Sequence, residues 1–189
     1  MAMKLRRVSR DELRGVFQPS RILLAVVAGP LPSGYNILPL CFHTWCSYTP
    51  LLYSVAIQRS NYSAELFESA RDFVLAIAGE SMLNQVIFCG THTGRYCDKI
   101  KECGILLCKS YSVRTPSILT AIANIEVSMR EQVPTGDHMM IIGEVLSISI
   151  SDSCQERPLL AIGPNPGEYE VLWQHDVHTI GVIPKGKSR

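Results

Sequence analysis

Apolar residues along this chain come in short runs punctuated by glycine and proline, and most runs are strand-like. Ile22 to Ala28 is aliphatic and rich in β-branched residues, and Gly29-Pro30-Leu31-Pro32-Ser33-Gly34 closes it as a turn cluster. Tyr35 to Cys46 resumes an apolar stretch, Tyr48-Thr49-Pro50 breaks it, and Leu51 to Ile57 is the next strand. Such short connections predict an antiparallel meander, because βαβ crossovers need a dozen or more residues.

A helical pattern follows from Asn61 to Ala70. Leu66, Phe67 and Ala70 share one face, while Glu65, Glu68 and Arg71 point away. Phe73 to Ala78 reads as a strand and Ser81 to Phe88 as a short helix capped by Ser81. Asp98 to Cys103 reads as one helical segment, capped by Asp98 and ended by Gly104. Ile118 to Glu131 reads as a strand, although its alanines also suit a helix. Val133-Pro134-Thr135-Gly136-Asp137 is a turn, and His138 to Ser149 is a strong strand, so the two strands form a long hairpin. Beyond Ser151 the signals weaken to a loop at Pro164-Asn165-Pro166-Gly167 and edge strands over Val171–Val177 and Thr179–Ile183. The fold class is mainly β with short inserted helices. The pattern predicts a closed antiparallel barrel with a helical cap, an arrangement without a free edge. We divide the chain into an N-terminal extension (1–19), the barrel domain (20–150) and a C-terminal extension (151–189) that packs on the barrel or on a partner.

Composition narrows the class. With 189 residues, 47% of them hydrophobic and 19% charged, the chain is a folded globular domain with a full core. A net charge of +1 argues against a nucleic-acid partner, which needs a basic face. The basic clusters Lys4, Arg6, Arg7 and Lys185, Lys187, Arg189 read as solvated tails. No apolar run approaches the roughly 20 residues of a membrane span. The charged segment before Ile22 is a poor signal peptide. The expected location is the cytoplasm, away from membranes.

Seven cysteines without a CxxC pair read as buried thiols in a reducing compartment. Cys97 and Cys103 flank the segment DKIKE and are the first pair to consider for redox chemistry. His43, His92, Cys89 and Cys97 show no recurrent ligand spacing, so no metal site is expected.

One stretch carries more chemistry than its place requires. Arg59-Ser60-Asn61-Tyr62-Ser63-Ala64-Glu65-Leu66-Phe67 turns a strand into a helix with an arginine and several hydroxyls. Serine and asparagine are ordinary helix caps. The same groups, with the free N–H groups of a helix start, make a phosphate cradle. The stretch alone leaves both readings open.

Taken in order, the motifs are Gly34-Tyr35-Asn36-Ile37, the polar stretch ending at Pro50, Arg59 to Ser63, Glu68-Ser69-Ala70-Arg71-Asp72-Phe73 and Cys89-Gly90-Thr91-His92-Thr93-Gly94-Arg95. Asp98-Lys99, Thr135-Gly136-Asp137-His138 and Gly143-Glu144-Val145 complete the series. Over roughly residues 20 to 150 this resembles the flavin reductase-like, FMN-binding split-barrel family, and its flavoredoxin branch in particular. The resemblance implies a Greek-key split barrel that forms a homodimer with FMN near the interface. It implies reduction of flavin by NADH or NADPH, or carriage of electrons to a redox protein partner.

By the same resemblance, the stretch with Arg59, Ser60, Tyr62 and Ser63 holds the FMN phosphate, with Arg59 as charge partner and the two serines as hydroxyl donors. Asn36 to Ser47 is the wall of the flavin ring, including Leu38, Phe42 and Ser47. Lys99 reaches the ring, where a cation raises its potential, and Arg95 assists from the preceding loop. His138 lies on the nicotinamide side, to orient that ring or move a proton. The plainer alternatives are a surface salt bridge of Lys99 with Asp98 or Glu102, and a His138 that sets hairpin register. Pro39, His43 and Trp45 depart from the family pattern. They motivate the alternative function, a split-barrel binding or structural module that has lost flavin.

Overall fold

A computed structural model of the protein describes residues 19–152, 156–161 and 169–171. The basic clusters at both ends, His175, His178, the 164–167 loop and the expected edge strands past Val171 lie outside the described residues. The elements, in order, are β1 (Ser20–Arg21), β2 (Leu23–Ala28), β3 (Tyr35–Leu40), β4 (His43–Tyr48), β5 (Leu51–Gln58), α1 (Tyr62–Ser69) and β6 (Asp72–Ile77). A 3-10 turn (Glu80–Met82) leads into α2 (Leu83–Thr91), and α3 (Lys99–Glu102) follows. Then come β7 (Leu107–Cys108), β8 (Ser117–Ile118), β9 (Ala123–Thr135), β10 (His138–Ile150), β11 (Leu159–Ala161) and β12 (Tyr169–Val171).

Seven strands form one sheet in the order β3-β2-β6-β9-β10-β5-β4. Every neighbouring pair is antiparallel. The two end strands, β3 and β4, follow one another in sequence but share no ladder. Cys41-Phe42 carries the chain between them, and the Phe42 carbonyl accepts from the Ala56 N–H at 2.9 Å. The barrel is therefore split where the pattern predicted closure. The apolar stretch Tyr35–Cys46 is two strands because the chain crosses that split in its middle.

The double-sided burial of β2 and β6 explains their unbroken apolar sequences. Leu24, Val26, Val74 and Ala76 face a cluster built with Val86 and Cys89 of α2 and with Ile100 and Ile105. Leu23, Ala25, Val27, Phe73 and Leu75 face the barrel interior with Val55, Ile57, Val127 and Ile141. Helix α1 covers this second cluster with Leu66 and Phe67, whose ring meets Phe73 edge-on at 5.3 Å.

Two sequence expectations shift. The strand expected from Ile118 begins at Ala123, because the Asn124 side chain turns back on Ile118. Its Oδ1 accepts from the Ile118 N–H at 2.9 Å, and its Nδ2 donates to the Ile118 carbonyl at 3.0 Å. Ser81 does not cap α2. It lies inside the 3-10 turn, and its N–H and hydroxyl both donate to Glu156.

The hairpin of β9 and β10 slips register at Ile142/Gly143 and again at Val145/Ser147. A Cβ at Gly143 would lie 2.2 Å from a Val127 methyl and 2.9 Å from the Ser128 carbonyl oxygen, so only glycine fits. The fully buried carboxylate of Glu126 accepts from the N–H groups of Tyr111 and Ser112 and so pins the loop after β7.

His43 ties β4 down at the split. Its Nδ1 faces the Tyr53 hydroxyl at 2.6 Å and its Nε2 faces the Arg21 carbonyl at 3.0 Å. A carbonyl only accepts, so Nε2 carries the proton and Nδ1 accepts from the hydroxyl. Burial holds the His43 pKa below its usual value, and the Arg21 carbonyl opposes that only in part.

Protonation would therefore cost stability. The unfolded chain takes up the proton first as the pH falls below about 6.5. The melting temperature should decline over that range, and His43→Gln should flatten the decline; a wild-type profile level from pH 7 to 5 would refute the assignment. Gly143→Ala should lower the unfolding free energy by about 1–3 kcal/mol in urea titrations.

Candidate functional site

The open edge of β3 and the start of α1 lie side by side. Asn36, fully buried on β3, donates from Nδ2 to the Ser63 hydroxyl at 2.9 Å. Its Oδ1 is buried and has no hydrogen-bond partner among the described residues. A Cβ on Gly94 would come within 2.1 Å of that oxygen, so the Thr93-Gly94-Arg95 turn closes directly over Asn36. A buried carbonyl oxygen without a donor is costly, by about 1–3 kcal/mol. Its chemistry matches an N–H donor of a ligand.

Helix α1 begins without a side-chain cap. Asn61 is its N-cap residue, yet its side chain makes no capping hydrogen bond. Ser63 turns inward to Asn36. The first N–H groups of a helix lack partners four residues back; here the Ala64 N–H donates to the Asn61 carbonyl at 2.9 Å, which leaves those of Tyr62 and Ser63 available to a ligand. Arg59 and Ser60 are exposed beside them. The Arg59 backbone N–H donates to the Asp137 carbonyl at 2.9 Å, which fastens this turn to the tip of the β9–β10 hairpin. The guanidinium itself has no hydrogen bond or ion pair among the described residues.

Arg95 approaches the same helix start. Its guanidinium lies over the Tyr62 ring, 4.6 Å from the centroid, and pairs with Glu65. Both members of that ion pair are half exposed, so the pair adds little stability. At the hairpin tip, His138 Nδ1 contacts Asp137 Oδ1 at 2.7 Å. Because the carboxylate accepts, the neutral ring keeps its Nε2 lone pair free. The half-exposed Phe42 ring stacks on His138 at 5.5 Å and 28°.

Lys99 is only 3% exposed. Its Nζ donates to the carbonyls of Ile37 at 2.9 Å and Cys89 at 2.7 Å. Burial lowers its pKa, and neighbouring cysteines oppose that. The plainer alternative for Lys99, a surface salt bridge with Asp98 or Glu102, does not form. Asp98 instead accepts from the Ser33 N–H at 2.7 Å and the Ser33 hydroxyl at 2.8 Å, and also caps α3 through the Lys101 N–H. Burial pushes the Asp98 carboxyl up, but these donors outweigh it and hold the group below its usual value.

Pro39 lies opposite Leu24 in the β2–β3 ladder and has no N–H to donate. Leu38 is buried beside it. Trp45 packs edge-on against Tyr53 at 4.6 Å. His43 and Trp45 are thus committed to packing on β5.

The structure gathers Asn36, Arg59, Ser60, Tyr62, Ser63 and Arg95 around the start of α1, with Phe42 and His138 beside the Arg59 turn. It does not bring Ser47 there. Ser47 pairs with Leu52, six residues before Gln58 and so ~20 Å along the strand from the Arg59 turn. Sequence reasoning missed Gly94 and the Ser33–Asp98 anchor. The turn glycine was visible, but what it packs against was not.

The flavin reductase like domain family matches residues 20–166, and the chain belongs to that family. An uncharacterized protein of Archaeoglobus fulgidus is 33% identical over 110 residues; the match spans 58% of this chain and 62% of that protein. Three solved structures share the fold. The FMN-binding protein from Thermus thermophilus with bound p-hydroxybenzaldehyde has a TM-score of 0.77 at 20% identity, covering 94% of this chain and 100% of that one. Flavoredoxin of Desulfovibrio vulgaris (Miyazaki F) has 0.74 at 17% identity, covering 99% of each chain. The Streptomyces globisporus NADH:FAD oxidoreductase SgcE6, in complex with NAD and FAD fragments, has 0.74 at 17% identity, covering 92% of this chain and 99% of that one.

Lys99→Met would leave two buried carbonyls without donors. It should lower the unfolding free energy by about 1–3 kcal/mol, read from urea titration; an unchanged midpoint would show that Nζ does not brace β3.

Proposed function

We propose that the protein binds FMN at the β3–α1 junction and passes electrons through it, as an NADH- or NADPH-dependent flavin reductase or a flavoredoxin-type carrier. The observation that carries this reading is the Arg59 guanidinium, unengaged among the described residues and beside an uncapped helix start. A phosphate monoester needs that combination: bidentate donors from arginine and preorganised N–H groups. The buried, unpartnered Asn36 Oδ1 fits an N–H of a flavin ring, and the exposed Phe42 face fits a planar aromatic. FMN supplies the hydride and electron chemistry when bound.

The chain's own residues bind and orient. Arg59, Ser60 and the backbone N–H groups of Tyr62 and Ser63 hold the phosphate. Ser63 keeps Asn36 in place, and Arg95 and Tyr62 form the rim. Lys99 holds the β3 wall through the Ile37 carbonyl, and its positive charge lies beneath that wall. His138, oriented by Asp137, offers Nε2 as a proton acceptor on the Phe42 side. The NAD in the Streptomyces oxidoreductase complex supports a nicotinamide donor. The exposed Leu146, Ile148 and Ile150 on the outer half of β10 support a homodimer, because such a row is normally covered.

Arg59→Ala should weaken FMN binding about 10- to 100-fold in a fluorescence-quenching titration, as expected for a lost charged hydrogen bond. The same variant should melt like the wild type, because the side chain holds no other described residue. An unchanged Kd would remove the phosphate assignment. Anaerobic addition of NADH to the FMN-loaded protein tests the rest. Bleaching of the flavin bands marks a reductase, persistence marks a carrier served by a protein partner, and failure to take up FMN rejects the reading altogether.

A further inference from the structure

The far end of α1 borders a pocket of about 310 Å³. It lies roughly 12 Å along the helix from the Arg59 turn. Ala28 and Leu66 give it an apolar wall, and Tyr35, Arg71 and Arg114 line the rest. Neither guanidinium has a hydrogen bond or ion pair among the described residues, and the Tyr35 hydroxyl has none either. The nearest carboxylate does not neutralise the two arginines. Asp72 also lines the pocket, but its Oδ1 accepts from the Thr115 N–H at 3.0 Å and the Thr115 hydroxyl at 2.5 Å. Its Oδ2 faces the backbone N–H of Arg114 at 3.5 Å. The carbonyls at this end of α1 are occupied as well. That of Phe67 accepts from Gln132 Nε2 at 2.8 Å, and that of Leu66 accepts from the Ser69 hydroxyl at 3.4 Å.

The loop that carries Arg114 is held in place. It spans residues 109–116, between β7 and β8, and has no regular structure of its own. The buried Glu126 carboxylate accepts from the Tyr111 N–H at 2.9 Å and the Ser112 N–H at 2.5 Å. Asp72 fastens the buried Thr115 at the other end. Between these anchors the Ser110 hydroxyl donates to the Thr115 carbonyl at 2.7 Å. Two carboxylates are thus used to fix a loop whose exposed arginine holds no described residue. A ligand that meets an arginine on such a fixed loop loses less entropy of ordering on binding.

We propose that this pocket binds the phosphate group of a small organic molecule between the Arg71 and Arg114 guanidinia. One guanidinium fork already saturates a carboxylate. Two forks and a phenol match the three terminal oxygens of a phosphate monoester, whose charge of about −2 two guanidinia balance. The volume exceeds what a bare phosphate fills and lies at the low end of small-molecule sites. The organic part is therefore the size of a single sugar, and it rests on Ala28 and Leu66. The site uses neither Arg59 nor the start of α1. It does not depend on FMN binding.

The test is isothermal titration calorimetry of the full-length protein with ribose 5-phosphate, inorganic phosphate and ribose. It is run on Arg59→Ala, which removes the other candidate phosphate cradle, so that the heat of binding belongs to this pocket. Ribose 5-phosphate should bind, inorganic phosphate should bind more weakly, and ribose should give no heat. Adding Arg71→Ala or Arg114→Ala should weaken ribose 5-phosphate about 10- to 100-fold, as expected for a lost charged hydrogen bond. Both variants should melt like their parent, because neither guanidinium holds a described residue. Absence of ribose 5-phosphate binding, or affinity unchanged by loss of both arginines, overturns the proposal. Inorganic phosphate that binds as tightly as the ester overturns it too, because the apolar wall then holds nothing. The FMN reading fails on a different ligand and a different variant, so the two failures are distinguishable.

Discussion

A buried ammonium group holds the sheet edge that no strand covers. β3 ends the seven-stranded sheet, so one row of its backbone groups would face the interior unpaired. Orphaned backbone carbonyls are too costly to leave in a core. Lys99 satisfies the Ile37 carbonyl from below and at the same time the Cys89 carbonyl at the end of α2. One side chain thereby joins the helical layer to the edge of the barrel. The position of Lys99 depends in turn on Asp98, which anchors the head of α3 to Ser33 in the β2–β3 turn. Edge, turn and helix form one connected unit.

That unit leaves an asymmetric barrel. On the β4 side the split is held by the His43 hydrogen bonds to the Tyr53 hydroxyl and the Arg21 carbonyl, while Trp45 packs on its ladder partner Tyr53. On the β3 side it is held by charge and hydrogen bonds. Polar groups without partners among the described residues collect on this second side. They are Asn36 Oδ1, the Arg59 guanidinium and the N–H groups of Tyr62 and Ser63 at the start of α1. Groups left unsatisfied in an otherwise satisfied core mark where a ligand supplies the missing partners. The fold, shared with flavin-binding proteins of low sequence identity, does not by itself assign the ligand. The donor set at α1 is what favours a phosphate-bearing one.

The Arg59–Ser63 stretch shows how far residue types go. From the sequence, capping and anion binding are equal readings, because both use the same side chains. The structure separates them by what each side chain does. Asn61 does not cap, Ser63 turns to Asn36, and the Arg59 guanidinium engages no described residue. Lys99 shows the reverse. Its place after a capping aspartate marks it as important, but a pattern cannot show that its nitrogen turns inward to two carbonyls. The cysteines behave likewise. Cys97 and Cys103 are the conspicuous pair on either side of a short helix, yet their thiols turn to separate backbone carbonyls, those of Thr93 and Lys99.

The sequence by itself determined most of the strands and helices, the hairpin of β9 and β10 and the family. Alternation, turn residues and motif order are local properties, carried by residues a few positions apart. Only the tertiary structure decided that the apolar stretch Tyr35–Cys46 is two strands at opposite ends of the sheet. It alone put Ser47 far from Arg59 and set Gly94 against Asn36. Each of these depends on which residues, distant in sequence, meet in the folded chain. Contacts of that kind follow from close packing and from the need to satisfy every buried polar group. No local pattern encodes either.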